Sequence, residues 1–228
     1  MARRIYVEAL IRCDLDELWR RTQEPDVHQR WDLRFTRIER LAGADPGRFR
    51  YAVRPLPGLA VHGVGVSVGE RFGPGGSRTS ALRFRSEHPL SPIRSGSGYW
   101  RYVPTGAGVR FLTGYDYAPG WGRLVDLLFR PLMGWGTAWS FDRLRLWLED
   151  GTPPEASLRR ALSEAGIRAA ACAAGWLAAP PVAAAALTVL AVALPPLPST
   201  PAARRCLRRP PDPRSATAPA TLRTLERP

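Results

Sequence analysis

Few residues in this sequence carry side chains suited to acid–base chemistry. The chain has three histidines, His28, His62 and His88, and the residues around His62 alternate as a half-buried strand does over 59–72. His62 and Glu70 fall on one side of that strand, together with three valines. If that side faces an apolar interior, both groups would have shifted pKa values and could act as an acid–base pair. The competing interpretation is that His62 is a hydrogen-bonded structural residue.

Other catalytic patterns are missing from the sequence. The histidines form no HxH or HxxxH pair, so we expect no metal site, and there is no GxSxG motif. The segment GVGVSVG (63–69) imitates a nucleotide-binding loop, but its alternating valines favour a strand that continues to Phe72. The three cysteines are far apart in sequence, which argues against a disulfide framework and fits a reducing compartment. We therefore expect no cofactor.

The basic residues of the chain are not arranged as in nucleic-acid-binding proteins. The formal net charge is +13, and every basic residue is an arginine because the sequence contains no lysine. Residues 1–150 hold 23 arginines against 16 acidic residues, and residues 151–228 hold 10 against 4. Because the charge is spread along the chain and not concentrated in one patch, we expect no nucleic-acid partner.

Three arginines alternate with aromatic residues in two segments of strand-like pattern. Arg83 and Arg85 flank Phe84, and Arg101 lies between two aromatic residues. Alternation places these guanidinium groups on the sheet face opposite the rings. A solvated outer face is one interpretation, and a guanidinium that binds a ligand carboxylate inside the protein is the other.

Hydrophobic periodicity predicts the elements that position these residues. A strand at 5–13 precedes two short helices, 14–23 and 25–31, and residues 121–149 have the spacing of one long helix. Pro131 is expected to kink or divide that helix. Between the short helices and the long one, turn-forming clusters separate six further strands at the spacing of an antiparallel meander. They span 34–42, 48–55, 59–72, 78–88, 97–104 and 109–118.

Aromatic residues are concentrated where the last helix would meet the sheet. Trp135 and Trp139 fall on the helix, Trp100 and Tyr115 on strands, and Trp31 closes the second short helix. Wide rings at such an interface can wall a cavity that admits an apolar molecule. We predict that these five residues bind the ligand; plain packing is the competing interpretation for Trp31.

The opening segment IYVEALIRCDLDELWRRTQEPDVHQRWD, with its D-x-x-x-L-W and P-x-x-x-x-x-W spacings, resembles the START-like (SRPBCC) superfamily. The order of elements and the aromatic-rich last helix extend the resemblance over residues 3–149. This group includes polyketide cyclases and dehydrases, ring-hydroxylase-related domains and pollen allergens. The resemblance implies an α+β helix-grip fold, with a seven-stranded antiparallel sheet wrapped on a long C-terminal helix and a hydrophobic tunnel between them. It also implies an apolar or amphipathic ligand, but it does not fix the chemistry.

Composition divides the chain into four parts. We expect a ligand-binding domain at 1–151, an amphipathic linker helix at 152–168, a membrane-associated segment at 169–195 and a disordered tail rich in proline and arginine at 196–228. The third segment is alanine-rich and uncharged, with Pro180–Pro181 near its middle. One kinked transmembrane helix is the leading interpretation. A re-entrant or interfacial hairpin and a soluble pair of helices are the alternatives.

These features predict a binding module held at the cell membrane, with a hydrophobic small molecule (a lipid, isoprenoid or polyketide) and membrane lipid as its partners. Glu8 interrupts the first apolar run, so we expect no signal peptide and a cytoplasmic N-terminal domain. A cyclase or dehydratase that uses His62 and Glu70 is the alternative. A third possibility is a regulatory protein whose cavity is vestigial and whose tail recruits partners.

Overall fold

The computed structural model of this chain describes residues 4–41, 47–56, 58–70, 73–226 and 228. Residue 42 and residues 71–72, where two of the predicted strands end, lie outside the described residues.

One antiparallel sheet of seven strands forms the framework of the N-terminal domain. The strands are β1 (Ile5–Ile11), β2 (Arg37–Arg40), β3 (Arg48–Leu56), β4 (Leu59–Glu70), β5 (Arg78–Arg85), β6 (Ile93–Thr105) and β7 (Gly108–Pro119). Their order across the sheet is β1-β7-β6-β5-β4-β3-β2, so the first strand closes onto the last. All seven predicted strands are present, and they form the predicted antiparallel meander because the turn clusters separate them at short intervals.

Three helices lie on one face of this sheet. They are α1 (Leu15–Gln23), α2 (Pro25–Trp31) and α3 (Gly122–Glu149). α1 begins where the Asp14 carboxylate accepts hydrogen bonds from the backbone N–H groups of Asp16 and Glu17, at 2.8 and 3.0 Å. These bonds satisfy two donors that have no partner inside the helix. The long helix α3 over a seven-stranded antiparallel sheet confirms the predicted α+β helix-grip fold.

The long helix α3 is continuous through Pro131, so of the two expectations for this proline, a kink or a division, the division is wrong. A proline inside a helix removes one backbone donor and leaves one carbonyl without its helical partner. Pro131 lies on the exposed first half of α3, beside Leu128 and Leu132. Water can therefore bind the freed carbonyl, and the helix does not have to end.

The core lies between the second half of α3 and strands β1, β6 and β7. Phe141 of α3 stacks on Phe111 of β7 with ring centroids 4.3 Å apart, and Trp31 of α2 packs edge-on against both rings. All three side chains are fully buried. Complete burial of such a side chain contributes about 1.5–3 kcal/mol, and aromatic pairs contribute about 0.5–1.5 kcal/mol more.

Two further helices follow α3, and they differ from the predicted segments. The helix α4 (Pro154–Ala178) runs without a break through the expected boundary at residue 168, and α5 (Pro181–Ala193) folds back beside it. The chain turns at Pro180 because a proline blocks continuation of the preceding helix. Residues 169–195 therefore form parts of two packed helices and not one kinked helix.

The tail predicted to be disordered lies against the domain in its described residues. Leu207 exchanges two backbone hydrogen bonds of 2.9 Å with Glu8 of β1. Beyond it, the short helices α6 (Pro213–Ala216) and α7 (Thr221–Thr224) lie on the outer face of the sheet, where Leu222 is buried. The tail is too poor in apolar residues to form a core of its own, but the sheet supplies the apolar surface and the donors that it lacks.

Replacing Phe141 by alanine is expected to lower the free energy of unfolding by about 3–5 kcal/mol, because it leaves a void in a closely packed aromatic core. Urea denaturation followed by circular dichroism measures the change. Trp135→Ala, on the exposed side of the same helix, is the control and should cost less than about 1 kcal/mol. Equal losses for the two variants would contradict this description of the core.

Candidate functional site

Three of the five predicted ligand-site residues, Trp31, Trp100 and Trp139, lie in one packed core cluster, and Tyr115 lies in a second one. Trp31 and Trp100 have ring centroids 6.1 Å apart, and Trp139 is buried on α3. The Tyr115 hydroxyl lies 2.8 Å from Thr137 Oγ1 of α3. Under the second half of α3, the rings of Phe111 and Phe141 stack directly on each other and belong to the packed core.

The fifth residue, Trp135, lies apart from the others and is 45% exposed. It belongs to a row of apolar residues on the first half of α3 that points away from the sheet. Periodicity identifies such a row but does not say which side of the helix packs. Here the packed side carries Phe129 and Met133, which contact the core beside Tyr115. The other exposed members of the row are Trp121, Leu124, Leu128 and Leu132.

His62 and Glu70 do not face the interior. Both side chains are exposed. The residues of β4 that face the helices have the opposite parity and include Gly63, where an added Cβ would lie 2.2 Å from the Tyr51 ring. Because side chains alternate along a strand, the predicted acid–base pair is directed away from the core. His62 lies instead near His88, with ring centroids 6.5 Å apart.

The alternating arginines lie on the outer face of the sheet, as one of the two interpretations has it, but that face is partly covered. Arg101 donates hydrogen bonds of 2.7 and 2.8 Å to the backbone carbonyls of Arg214 and Thr217. Arg83 donates one of 3.0 Å to the carbonyl of Leu222. These guanidinium groups therefore hold the tail and do not point into the interior.

A polar cluster on the helix-covered face was not predicted. The Asp32 carboxylate, which is fully buried, accepts hydrogen bonds from Arg34 Nε and NH2 at 2.9 and 2.7 Å. His28 Nε2 lies 3.1 Å from Asp32 Oδ2, the oxygen that also accepts from Arg34 NH2. The guanidinium carbon of Arg34 lies 5.4 Å from the centre of the Tyr115 ring. The spacing His-x-x-x-Asp at the end of a predicted helix was the available signal, because residues i and i+4 share a helix face.

Burial and charge act on this cluster in opposite directions. Burial lowers the pKa of His28, although Asp32 favours its protonated form. Burial opposes ionisation of Asp32, but Arg34 and His28 outweigh it and hold the pKa of Asp32 well below its usual range. Burial likewise disfavours the cation of Arg34, and Asp32 more than compensates. The cluster is therefore an ion pair beside a neutral imidazole, with no net charge.

Half-buried aromatic rings continue outward from this cluster. Phe35 packs edge-on against His28 and against Tyr51, with centroids 5.2 and 5.7 Å apart, and Phe49 lies beside Tyr51 at 6.4 Å. Phe84 of β5 packs against the Tyr115 cluster. We call Phe35, Phe49, Tyr51 and Phe84 the open aromatic face, because three of the four rings retain partial exposure beyond the edge of α3.

Small residues allow these rings to lie flat on the sheet. An added Cβ on Gly65 would lie 2.4 Å from the Phe49 ring, and one on Gly96 would lie 2.4 Å from the Phe84 ring. Any side chain at either glycine would displace the ring above it. The face thus offers aromatic surface with one hydrogen-bonding cluster at its inner end. Among the described residues, no group of three or more His, Cys, Asp or Glu side chains could hold a metal ion.

Comparison with known proteins gives one relative of high sequence similarity. The chain is 47% identical over 165 residues to the uncharacterized membrane protein YndG of Bacillus subtilis (strain 168), an alignment that covers 69% of this chain. The chain spans 62% of the length of that relative, less than two thirds. No family model matches the sequence.

Solved structures with a similar arrangement have low sequence identity. A STAR-related lipid transfer protein from Xanthomonas axonopodis is 19% identical with a TM-score of 0.47, and the alignment covers 62% of this chain and 82% of that one. The di-domain aromatase/cyclase BexL of the BE-7585A biosynthetic pathway is 16% identical with a TM-score of 0.42, over 58% of this chain and 41% of that one.

Acidification should weaken the fold through His28. Its pKa is lowered in the folded state, so the unfolded chain binds more protons as pH falls below about 6.5. The free energy of unfolding should therefore decrease from pH 7.5 to pH 5.5, before Asp32 contributes its own loss below about pH 4. Urea denaturation at both pH values measures this, and His28→Gln should reduce the pH dependence. An unchanged pH dependence in that variant would rule out His28 as its source.

Proposed function

We propose that this protein binds an apolar or amphipathic small molecule on the open aromatic face while it is held at a membrane. The observation that supports the proposal is the row of half-buried rings on the helix-covered side of the sheet, next to Arg34 and Tyr115. Water in contact with such rings is readily displaced by an apolar guest. The ligand thus lies beside α3, and not beneath its filled second half.

The charge of the cluster favours a guest whose polar group is uncharged. Asp32 already neutralises Arg34, so a ligand carboxylate would be buried without a net counter-charge. A hydroxyl or carbonyl group needs only a hydrogen bond, which the Arg34 guanidinium can donate. Long-chain alcohols, isoprenols and ketones of polyketide type fit this requirement better than fatty acids.

A binding experiment with two fluorescent probes tests the class of ligand. A polyene alcohol of 18 carbons is expected to bind at least about tenfold more tightly than the fatty acid of the same chain, because only the acid buries a charge. Fluorescence titration of the purified full chain at pH 7.5 measures both affinities. Tighter binding of the acid, or binding of neither probe, would contradict the proposal.

Removing rings from the open aromatic face should weaken binding of the alcohol probe. Phe49→Ala is expected to reduce its affinity about tenfold, the loss of one aromatic contact of roughly 1.4 kcal/mol. Phe84→Ala should act similarly. Leu10→Ala, which shortens an exposed side chain on β1, is the control and should bind as the wild type does. A loss shared by all three variants would indicate general destabilisation instead.

We further propose that residues 169–195 tether the protein to the membrane. They contain no charged residue, and Leu177 and Val182 are 89% and 83% exposed at the turn between α4 and α5. The similar protein of B. subtilis carries the description of a membrane protein. In the described part of the chain, no helix combines the length and hydropathy needed to cross a bilayer. The proposed tether is therefore the helical pair as a unit.

Cell fractionation tests the tether. The full chain should sediment with membranes, and the double variant Leu177→Glu/Val182→Glu should move to the supernatant, because two buried carboxylates in lipid cost several kcal/mol. Leu10→Glu, which adds a charge on the sheet, should remain with the membranes. The tether proposal fails if the double variant sediments as the wild type does.

A further inference from the structure

We infer that the α4–α5 hairpin inserts into a single leaflet of a negatively charged bilayer, with its turn at mid-membrane and its two open ends on the same side. This inference rests on the proposed tether and specifies its geometry and the lipid that it recognises. It is argued from the length of the uncharged part, the hydrogen bonds inside it and the charges at its base.

The length of the uncharged hairpin matches half a bilayer. From Ala169 to the end of α4 there are ten residues, about 15 Å at 1.5 Å per residue. The 13 residues of α5 are about 20 Å long. The hydrocarbon core of a bilayer is about 30 Å thick, so one leaflet contributes about 15 Å. Each arm can therefore cross one leaflet and not two.

The side-chain donors of Trp176 and Thr188 within the hairpin are satisfied internally. Trp176 Nε1 donates to Thr188 Oγ1 at 3.1 Å, and the Thr188 hydroxyl donates to the carbonyl of Ala184 at 2.9 Å. At the turn, Pro180 and Pro181 have no N–H group, which removes two backbone donors where hydrocarbon offers no acceptor. The hairpin can thus enter lipid without leaving these side-chain donors unpaired.

The two arms pack through small residues, as helices in lipid do. An added Cβ on Gly175 would lie 2.9 Å from Leu187 Cδ2, and Ala184 is fully buried against the other arm. Close approach of the backbones provides the van der Waals contact that holds helices together where no hydrophobic effect acts between them. The larger apolar residues point outward instead, among them Trp176, Leu177, Val182, Val189 and Val192.

Arg168 closes the base of the hairpin. Its NH1 group donates to the carbonyls of Ala191 and Leu194 at 2.5 and 2.8 Å, and its NH2 group donates to the carbonyl of Pro195 at 2.9 Å. The Ala191 and Leu194 carbonyls lie at the C-terminal end of α5, where they have no helical partner, and Pro195 follows directly after it. Glu164 pairs with the same guanidinium at 2.6 Å. The change from uncharged to charged surface therefore falls at the same level on both arms.

The charge beyond the base is strongly positive. Residues 156–211 contain seven arginines and one acidic residue, the Glu164 that is bound to Arg168. Five of the arginines are exposed without an ion pair among the described contacts: Arg159, Arg160, Arg204, Arg208 and Arg209. A cationic base beneath an apolar hairpin complements anionic headgroups above hydrocarbon.

Depth-dependent quenching tests the inserted geometry. Val182 near the turn and Val192 near the base are 83% and 82% exposed, so they form a matched pair about 15 Å apart along α5. Each is replaced by cysteine in the full chain carrying Cys172→Ala, and labelled with the fluorophore NBD. Burial raises the pKa values of Cys13 and Cys206 to about 12, which keeps these thiols unreactive, and the Cys172→Ala protein alone checks this.

In vesicles with 30% phosphatidylglycerol, we expect nitroxide lipids labelled deep in the chain to quench position 182 most strongly, and lipids labelled near the headgroup to quench position 192. Equal, shallow quenching of both positions would mean that the hairpin lies flat on the surface. Quenching of position 182 by an aqueous quencher inside the vesicle would mean that it crosses both leaflets. Either result overturns the inference while leaving the tether itself intact.

Vesicle co-sedimentation tests the lipid class. At about fivefold per arginine, Arg208→Gln/Arg209→Gln should weaken binding to the anionic vesicles about 25-fold. Replacing phosphatidylglycerol by phosphatidylcholine should weaken binding of the wild type by more than this, because it removes the attraction of all the exposed arginines. Arg37→Gln/Arg40→Gln on β2 removes the same charge elsewhere and is the matched control. Equal binding to both vesicles, or self-association of the hairpin in place of vesicle binding, would overturn the proposal.

Discussion

The buried carboxylate of Asp142 is the interaction on which the arrangement of the C-terminal half depends. It accepts hydrogen bonds from Arg145 Nε on its own helix at 2.7 Å, and from the backbone N–H of Ala202 and Arg205 NH1 at 2.8 and 2.9 Å. A fully buried carboxylate that lost these donors would be strongly destabilising. Asp142 thus fixes where the chain returns to the domain after the hairpin, and both ends of the hairpin are held at α3.

A filled core and an open aromatic face coexist because α3 covers only part of the sheet. Its second half packs over β1 and β7, where Phe111 and Phe141 exclude solvent. On the same side of the sheet, β3 and β5 lie beyond the edge of α3. There, glycines on neighbouring strands let the rings of Phe49 and Phe84 lie flat on the sheet. The aromatic residues from which the sequence predicts a cavity are therefore divided between a packed core and an exposed surface.

The apolar hairpin and the open aromatic face have two features in common. Both expose apolar groups that water solvates poorly, and each has hydrogen-bonding groups at one end, Arg168 at the base of the hairpin and Arg34 at the inner end of the face. A protein held at a bilayer meets apolar molecules at high local concentration. A shallow, open face suits guests that enter from lipid better than a closed cavity does.

The sequence by itself determined the elements and their order, because strand and helix periodicity and turn residues act locally. The seven strands, α1, α2 and α3 all follow from it, and so does the uncharged run at 169–195. Side-chain placement was decided by tertiary structure. His62 and Trp135 face outward because the face that packs depends on partners distant in sequence. The contact of His28 with Asp32, by contrast, follows from the local i, i+4 spacing at the end of α2. The tail, like His62 and Trp135, depends on distant partners: the donors that bind it, such as Arg101, lie more than 100 residues away in the chain.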